Sequence, residues 1–262
     1  MASKQTSRLH FALWHLLISC LIAGAVALLV FKFWYPSPLN LITGGLHLFF
    51  LVVGVDLVCG PLFTMIMANP KKSKRELTFD LCLVGLIQLA ALGYGLYTVK
   101  LARPVIMSFE HDRIAVITEA EIDKESLSKA PKGLQTLPWF GQQKVGIRRA
   151  KDEKEFFESL HLSTSEGIEP SLRPNWWLSF DKVLPDVKKK MRPLSELAAR
   201  PSLDEEGKSR LHQVAADTGI SEKDLYFLPL TSKYTKDWVV LLNKDADFVG
   251  YANVNGFDEE KK

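Results

Sequence analysis

An acidic side chain, Asp56, lies inside a long apolar stretch, residues 39–67. A carboxylate at the centre of a bilayer costs about 2.5–3.5 kcal/mol on insertion scales, so such a residue is a functional candidate by default. Gly60 and Pro61 follow it closely. Pro61 lacks a backbone donor and leaves the Leu57 carbonyl without its helical hydrogen bond. The pattern predicts a polar site in a weakened part of a membrane helix.

A second polar side chain, Gln88, is expected at the same depth. Asp56 precedes Met67, near the end of its apolar stretch, by eleven residues. Gln88 follows Leu77, the start of the next stretch, by eleven residues, and eleven residues of helix span about 16 Å. A Gln amide can donate a hydrogen bond to a carboxylate or accept one from a protonated acid. Small residues at helical spacing around Gln88 would let helices approach closely: Gly85, Ala91 and Gly95.

The sequence leaves three roles open for this polar pair. In the first, Asp56 and Gln88 only hold two helices together. In the second, they also recognise a helix of a partner protein, with Pro61 opening a notch beside them. In the third, they belong to a proton relay with His47 and Asp80, which would require an oligomer because three helices are few for a transporter.

Three apolar stretches predict three transmembrane helices. Each is long enough, at 1.5 Å per residue, to cross a hydrocarbon core of about 30 Å. A cleaved signal peptide is the alternative for the first stretch, but its apolar residues continue past the small residues at 23–27, whereas a signal peptide has an apolar core of about 7–15 residues. The predicted spans cover about residues 11–31, 41–67 and 77–99.

The charges predict how these helices are oriented. Residues 1–103 carry nine Lys/Arg and three Asp/Glu, and residues 104–262 carry 24 and 27. The basic excess belongs to the membrane part, so nucleic-acid binding is not expected. The turn at residues 34–40 has no charge, and the positive-inside rule therefore places the N-terminus and the basic loop in the cytoplasm and residues 104–262 outside. The basic loop contains Lys71, Lys72, Lys74 and Arg75.

Residues 104–262 predict a small extracytoplasmic α+β domain, because short strand patterns alternate with helical ones. Apolar alternation predicts a strand over residues 104–117, with Glu110 and Asp112 on one solvated face and His111 between them. A helix is predicted over residues 202–219, with Ser202 as N-cap, Glu205 completing a capping box and Gly219 ending the helix. The other predicted elements are a helix at 151–162, a strand at 225–230 and a β-hairpin at 237–254.

No pattern in this domain predicts catalysis, and no catalytic residue, metal or cofactor is expected. The histidines His111, His161 and His212 are isolated in sequence, and convergence on a metal is the less favoured alternative to surface or packed positions. Trp176 and Trp177 form either a binding surface or a packed corner. The cysteines all lie in apolar stretches without a C-x-x-C pair: Cys20, Cys59 and Cys82.

The segment from residue 35 to residue 104 carries a set of short motifs. They are Gly44-Gly45, Val55-Asp56, Gly60-Pro61-Leu62, the basic loop at 69–77, Gln88 and Arg103-Pro104. This set resembles the type IV pilin accessory protein family, often called TfpX/TfpZ. A weaker similarity includes Leu228-Pro229 and the C-terminal hairpin. The chain departs from the family where Thr78 and Phe79 replace an expected second basic cluster.

The resemblance implies an inner-membrane accessory protein, or chaperone, for a cognate type IV pilin. The implied partners are the major pilin and membrane lipids. A pilin subunit waits in the membrane as a single helix with a polar domain outside, and after processing it presents its N-terminal amine in the cytoplasmic half of the bilayer. The alternatives are a membrane-anchored periplasmic enzyme and a small ion-conducting or proton-conducting oligomer. The candidate partner-binding residues are Asp56, Gln88, Pro61, Gly60 and Gly85.

Overall fold

The computed structural model describes residues 2–67 and 72–257, with side chains described from residue 9 onward. The chain divides into two compact units, Met1–Ala102 and Arg103–Lys262. The first consists of helices and is called the helical unit below. The second is built on a β-sheet and is called the sheet unit.

The helical unit contains three helices that are long and apolar enough to cross a membrane, which confirms the predicted membrane-helical part of the fold. The first, α1, continues into a π-helical turn at Val30–Trp34, and a short helix, α2, precedes the second long one. The helices are α1 (Ala2–Leu29), α2 (Leu39–Ile42), α3 (Gly45–Met67) and α4 (Lys74–Leu101).

The second span begins later than the predicted residue 41. Gly44 separates α2 from α3 and has φ +70°, a left-handed conformation that glycine adopts without steric cost. Residues 41 and 42 therefore belong to α2. The chain turns at Gly44 instead of continuing as one helix, so the span is shorter than the apolar stretch.

The third long helix begins earlier than the predicted residue 77, because a capping box starts it at Lys74. The Ser73 hydroxyl accepts a hydrogen bond from the Glu76 backbone N–H (3.3 Å), and the Glu76 carboxylate accepts one from the Ser73 backbone N–H (2.8 Å). The two bonds satisfy donors that a helix N-terminus otherwise leaves unpaired.

The packing in the helical unit is centred on α3. It packs against both α1 and α4, whereas α1 and α4 make almost no direct contact in the described part of the chain. One end of the bundle has a dry core, in which the Tyr35 hydroxyl donates to the Val99 backbone carbonyl (2.7 Å). The Tyr35 ring lies so close to Gly45 that an added Cβ would be 2.1 Å from it. The core side chains are Val30, Tyr35, Phe49, Val53 and Val99.

The sheet unit is an α+β domain, as predicted, built on one mixed sheet with strand order β4-β3-β1-β2-β6-β7-β8 and with β5 paired to β6. The strand pairs β1–β3 and β2–β6 are parallel and the others antiparallel. The strands are β1 (Pro104–Glu110), β2 (Arg113–Thr118), β3 (Gln143–Ile147), β4 (Trp177–Ser179), β5 (Arg192–Pro193), β6 (Tyr226–Thr231), β7 (Trp238–Leu242) and β8 (Phe248–Ala252). The helices are α5 (Glu153–His161), α6 (Phe180–Lys190), α7 (Leu194–Ala198) and α8 (Glu205–Asp217).

Two hydrophobic clusters hold this sheet. One joins α7 and α8 to β6 and β7 through side chains such as Leu197, Leu211 and Phe227. The other joins β1 and β3 to the segment before β4 and includes Val145 and Trp177. The predicted helix at 151–162, the strand at 225–230 and the hairpin at 237–254 are confirmed as α5, β6 and β7–β8. Strand β8 lies at one edge of the sheet.

The prediction of one strand over residues 104–117 is wrong. The segment is a tight hairpin in which Glu110 at the end of β1 pairs with Arg113 at the start of β2. His111 and Asp112 form the turn, and His111 has φ +59°. Because the chain reverses there, Glu110 and Asp112 do not share one solvated strand face.

The predicted N-cap of α8 is also wrong. The helix begins at Glu205, and the carboxylate of Asp204, directly before it, accepts a hydrogen bond from the Gly207 backbone N–H (2.7 Å). Asp caps a helix as well as Ser does, so the residue adjacent to the first helical turn takes the role instead of Ser202. Gly219, with φ +67°, follows the helix as predicted.

Candidate functional site

A groove of about 320 Å³ lies on α3 between α1 and α4, and we call it the bundle groove. It exists because α1 and α4 both pack on α3 but hardly on each other. Its walls are mostly apolar, with Ile18 and Leu89 on opposite sides. The polar side chains that line it include His15, Ser19, Asp56, Thr64 and Gln88.

Gln88 reaches Asp56, but it contacts the backbone instead of the carboxylate. The Gln88 amide Nε2 donates to the Asp56 backbone carbonyl at 3.4 Å. It can enter this space because Gly60 has no side chain: an added Cβ would be 2.0 Å from Gln88 Nε2 and 3.0 Å from His15 Nε2. Gly60 therefore lets polar side chains of both α4 and α1 approach α3.

The Asp56 carboxylate is half-buried and stays available in the groove. Among the residues whose side chains are described, none donates a hydrogen bond to it. The His15 imidazole is close enough to interact with it electrostatically, but His15 Nδ1 is hydrogen-bonded to the Thr64 hydroxyl (2.6 Å). The polar neighbours of Asp56 thus use their hydrogen bonds on other groups.

The other predicted residues of this site have different positions. Pro61 is half-buried within α3, which remains one helix from Gly45 to Met67. Gly85 lines the groove and faces open space, so it widens the groove without bringing helices together. Gly95 does make a close approach, because an added Cβ would be 2.3 Å from Val52. Ala91 is exposed.

The members of the proposed proton relay do not come together in the described structure. Asp80 forms an ion pair with Lys72 near the start of α4, and neither His47 nor Asp80 lines the bundle groove. In the basic loop, Lys74 and Arg75 are exposed in the first turn of α4. Lys71 lies outside the described residues.

The sheet unit has a larger recess of about 1290 Å³ between the end of β1, α5 and α6, which we call the sheet cleft. Trp176 lines it and has two guanidinium groups close to its ring, with the Arg148 Cζ 4.3 Å and the Arg173 Cζ 4.7 Å from the ring centroid. Arg148 also binds Glu155 through two hydrogen bonds of 2.8 and 2.6 Å. The bonds from Arg148, and then the Lys151 backbone N–H, lower the pKa of Glu155 to about 2.

Glu110 is the buried acid of this cleft, with 2% of its surface exposed. Within the described residues, its Oε1 has no hydrogen-bond partner. Burial raises the pKa of Glu110, and the neighbouring Ser171 hydroxyl opposes that shift. Sequence reasoning missed this site, because it placed Glu110 on a solvated strand face. Every residue of β1 is buried, and this burial distinguishes a buried Glu110 from one on a solvated strand face.

The structure shows where the tryptophans and two of the histidines of the sheet unit lie. Trp176 and Trp177 are 5% and 1% exposed, so they form a packed corner and not an exposed binding surface. His212 pairs with Glu222 at 2.7 Å, and His161 with Ser165 at 3.2 Å. No group of three or more His, Cys, Asp or Glu that could hold a metal ion occurs in the part of the chain that the structure describes.

Comparison with known proteins gives consistent similarities. The family model "Fimbrial assembly protein FimB" matches residues 3–44. The fimbrial assembly protein of serogroup E1 from Dichelobacter nodosus is 32% identical over 244 residues, which cover 93% of this chain and 94% of the relative. The serogroup I protein is 32% identical over 246 residues with the same coverage. The serogroups C1 and C2 protein is 43% identical over 116 residues, 44% of this chain. No solved structure matches.

Proposed function

Because the chain belongs to the fimbrial assembly protein family, we propose that it acts in pilus biogenesis as an inner-membrane accessory protein, or chaperone, for a cognate type IV pilin. Its role is assembly and not catalysis. The bundle groove receives the membrane helix of the pilin, and Asp56 binds the N-terminal amine of that helix.

One observation supports this proposal above the others. Within the described part of the chain, Asp56 is the only carboxylate that lines the bundle groove, and it receives no hydrogen bond there. Gln88 donates to the backbone carbonyl of Asp56 and not to its carboxylate. A simple clamp would join the amide to the carboxylate. A charge left unpaired in an apolar groove is costly, and a cation from a partner would offset that cost if the pair is also well hydrogen-bonded.

The proposal includes an orientation. Residues 1–103 form the membrane domain, with the N-terminus and the basic loop in the cytoplasm, and residues 104–262 form a periplasmic domain. Exposed Lys74 and Arg75 at the start of α4 support this orientation through the positive-inside rule. In this orientation the groove, whose lining on α4 begins at Leu81, lies toward the cytoplasmic side.

The recognition role is tested with Asp56→Asn. This change removes the charge but keeps the size of the side chain, and it leaves the Gln88 bond intact because that bond goes to the backbone. Loss of one partner of a buried charge pair costs about 3–5 kcal/mol. We therefore expect a normal protein level, at least tenfold less pilin crosslinking, and reduced piliation.

Crosslinking positions on α4 provide a matched control. A photoreactive residue at Leu89, which lines the groove, should capture pilin in native membranes. A photoreactive residue at Leu86 should not capture pilin, because Leu86 lies outside the groove although its exposure (66%) is similar to that of Leu89 (62%). Normal crosslinking and piliation in a well-expressed Asp56→Asn variant would falsify the recognition role.

The orientation is tested independently with reporter fusions. A periplasm-dependent reporter fused after residue 104 should be active, and a cytoplasm-dependent reporter fused at Ser73 should be active. The reverse pattern would place the sheet unit in the cytoplasm and remove its proposed periplasmic location, whatever the role of Asp56.

A further inference from the structure

Helix α5 leaves its apolar face uncovered in the sheet cleft. An amphipathic helix normally buries this face against a core. Here Phe156, Phe157 and Leu160 line the cleft and are 53%, 64% and 47% exposed. The opposite side of α5 is attached to the domain, because Ser159 of the same helix is buried and accepts a hydrogen bond from Arg173. The exposed strip is thus part of a fixed wall.

Glu110 adds a polar feature to this apolar surface. It lines the cleft, is almost fully buried, and has one carboxylate oxygen without a partner among the described residues. A buried oxygen of this kind carries the full desolvation cost of an unmade hydrogen bond. A donor from outside the chain would satisfy it, and a cationic donor would also compensate its charge.

The charges around the cleft favour a cation. Six carboxylates and four basic side chains line it, and one of the basic side chains, Arg148, is already bound by Glu155. An excess of negative charge disfavours the anionic surface of a bilayer as the occupant. The acidic residues are Glu110, Asp112, Asp152, Glu153, Glu169 and Asp186.

The size of the cleft favours a peptide. Its volume of about 1290 Å³ exceeds the roughly 300–1,000 Å³ that is usual for small-molecule pockets. We propose that the sheet cleft binds an apolar peptide segment of a partner protein that carries one Lys or Arg side chain. The apolar side chains lie on the α5 strip and the basic side chain reaches Glu110. This inference does not rest on the role proposed for Asp56.

The experiment uses the full chain in lipid nanodiscs and measures fluorescence anisotropy. The probe is a fluorescein-labelled peptide, Gly-Leu-Phe-Lys-Phe-Leu-Gly, and the matched peptide carries norleucine in place of Lys. We expect the chain to bind the Lys peptide at least tenfold more tightly than the norleucine peptide. Glu110→Gln should remove that preference and leave norleucine-peptide binding unchanged.

The apolar strip is tested with a pair of variants of equal exposure. Phe157→Ser should raise the Kd of both peptides at least tenfold, whereas Tyr234→Ser, at a residue also 64% exposed but outside the cleft, should leave both unchanged. Both substitutions are at the surface, so folding should be preserved, as a circular dichroism melt will verify.

Three outcomes would overturn the proposal. The first is equal binding of both peptides by the unmodified chain. The second is equal behaviour of Phe157→Ser and Tyr234→Ser. The third is unchanged peptide binding in Phe157→Ser, combined with either of two losses. Lost labelling by a photoactivatable phosphatidylglycerol would mean that the strip contacts a membrane. A lower dimer fraction in sedimentation would mean that it contacts a second copy of the chain.

Discussion

Each of the two units contains a recess lined by an acid with at least one carboxylate oxygen that no described residue hydrogen-bonds, but the recesses are built differently. In the bundle groove, Asp56 is half-buried and its neighbours bind other groups. In the sheet cleft, Glu110 is almost fully buried. The first acid is isolated by the apolar surroundings of a membrane helix, the second by the protein itself.

This difference determines how each acid can be studied. The cost of the Asp56 charge depends on the lipid around the helices, so it appears in partner binding and not in the stability of the chain in water. The cost of the Glu110 charge is part of the folded state, so it appears in the pH dependence of stability. The sheet cleft should therefore respond to mutation by losing or gaining stability, and the bundle groove mainly by changing function.

The largest effect is expected for Trp176→Ala. The ring is 5% exposed and packs against two guanidinium groups, so its removal leaves a cavity and should lower the free energy of unfolding by about 3–5 kcal/mol. Urea denaturation followed by far-UV circular dichroism measures this. Tyr234→Ala, at an exposed position, should change it by no more than about 0.5 kcal/mol. A neutral Trp176→Ala would mean that the sheet cleft is no better packed than the bundle groove.

A smaller effect of opposite sign is expected for Glu110→Gln. Because burial raises the pKa of Glu110, the folded state binds its proton more tightly than the unfolded state, and stability falls as pH rises through that raised pKa. At pH 7 the variant should be more stable by about 1 kcal/mol, since it removes a buried charge that has one oxygen without a hydrogen bond among the described residues. Below the ordinary Glu pKa the difference should vanish. The charged groups that influence Glu110 are Arg113, His111, Glu169 and Arg173.

Glu155→Gln is the matched comparison, at a carboxylate that binds Arg148 of the cleft. The pKa of Glu155 is lowered to about 2, so its contribution is present above the ordinary Glu pKa and is lost as pH falls toward 2. The variant should be less stable at pH 7 and match the unmodified chain in strong acid. If both variants shift stability in the same direction at pH 7, the proposed contrast between a desolvated acid and a paired acid is wrong.

The smallest effect is expected in the helical unit. Thr64→Val removes the hydroxyl that is hydrogen-bonded to His15, and side-chain hydrogen bonds between membrane helices average about 0.6 kcal/mol. An unfolding titration in detergent should show a change of this size, with the sheet unit unaffected. A loss above about 2 kcal/mol would indicate that His15 and Thr64 clamp the bundle, and the two recesses would then be alike.

Much of the fold could be predicted from the sequence, because its signals are local. The three apolar stretches, the periodicity of α5 and the hairpin around residues 244 and 245 each depend on neighbouring residues, and the structure confirms them. The resemblance to a pilus accessory family is confirmed by relatives that match nearly the whole chain. The β1–β2 turn was missed because His111 has a left-handed conformation without the Gly or Asn that normally signals it.

The candidate site was less predictable, because it depends on contacts between distant segments. Counting residues along the two helices predicts that Gln88 lies at the depth of Asp56. It does not predict which atom of Asp56 receives the hydrogen bond from Gln88. That choice follows from the space above Gly60, which a one-dimensional pattern does not contain. The hydrogen bond that Glu110 receives likewise comes from Ser171, about sixty positions away along the chain.

The bond from Tyr35 to the Val99 carbonyl limits how a partner can enter. It ties the end of the first span to the end of the third, over the close contact of the Tyr35 ring with Gly45. These contacts close that end of the bundle, so a partner helix cannot enter from there along its own axis. Under the proposed role, the route to Asp56 that remains is lateral, through the groove between α1 and α4. A pilin helix already in the bilayer would then dock and leave sideways without being extracted from the lipid.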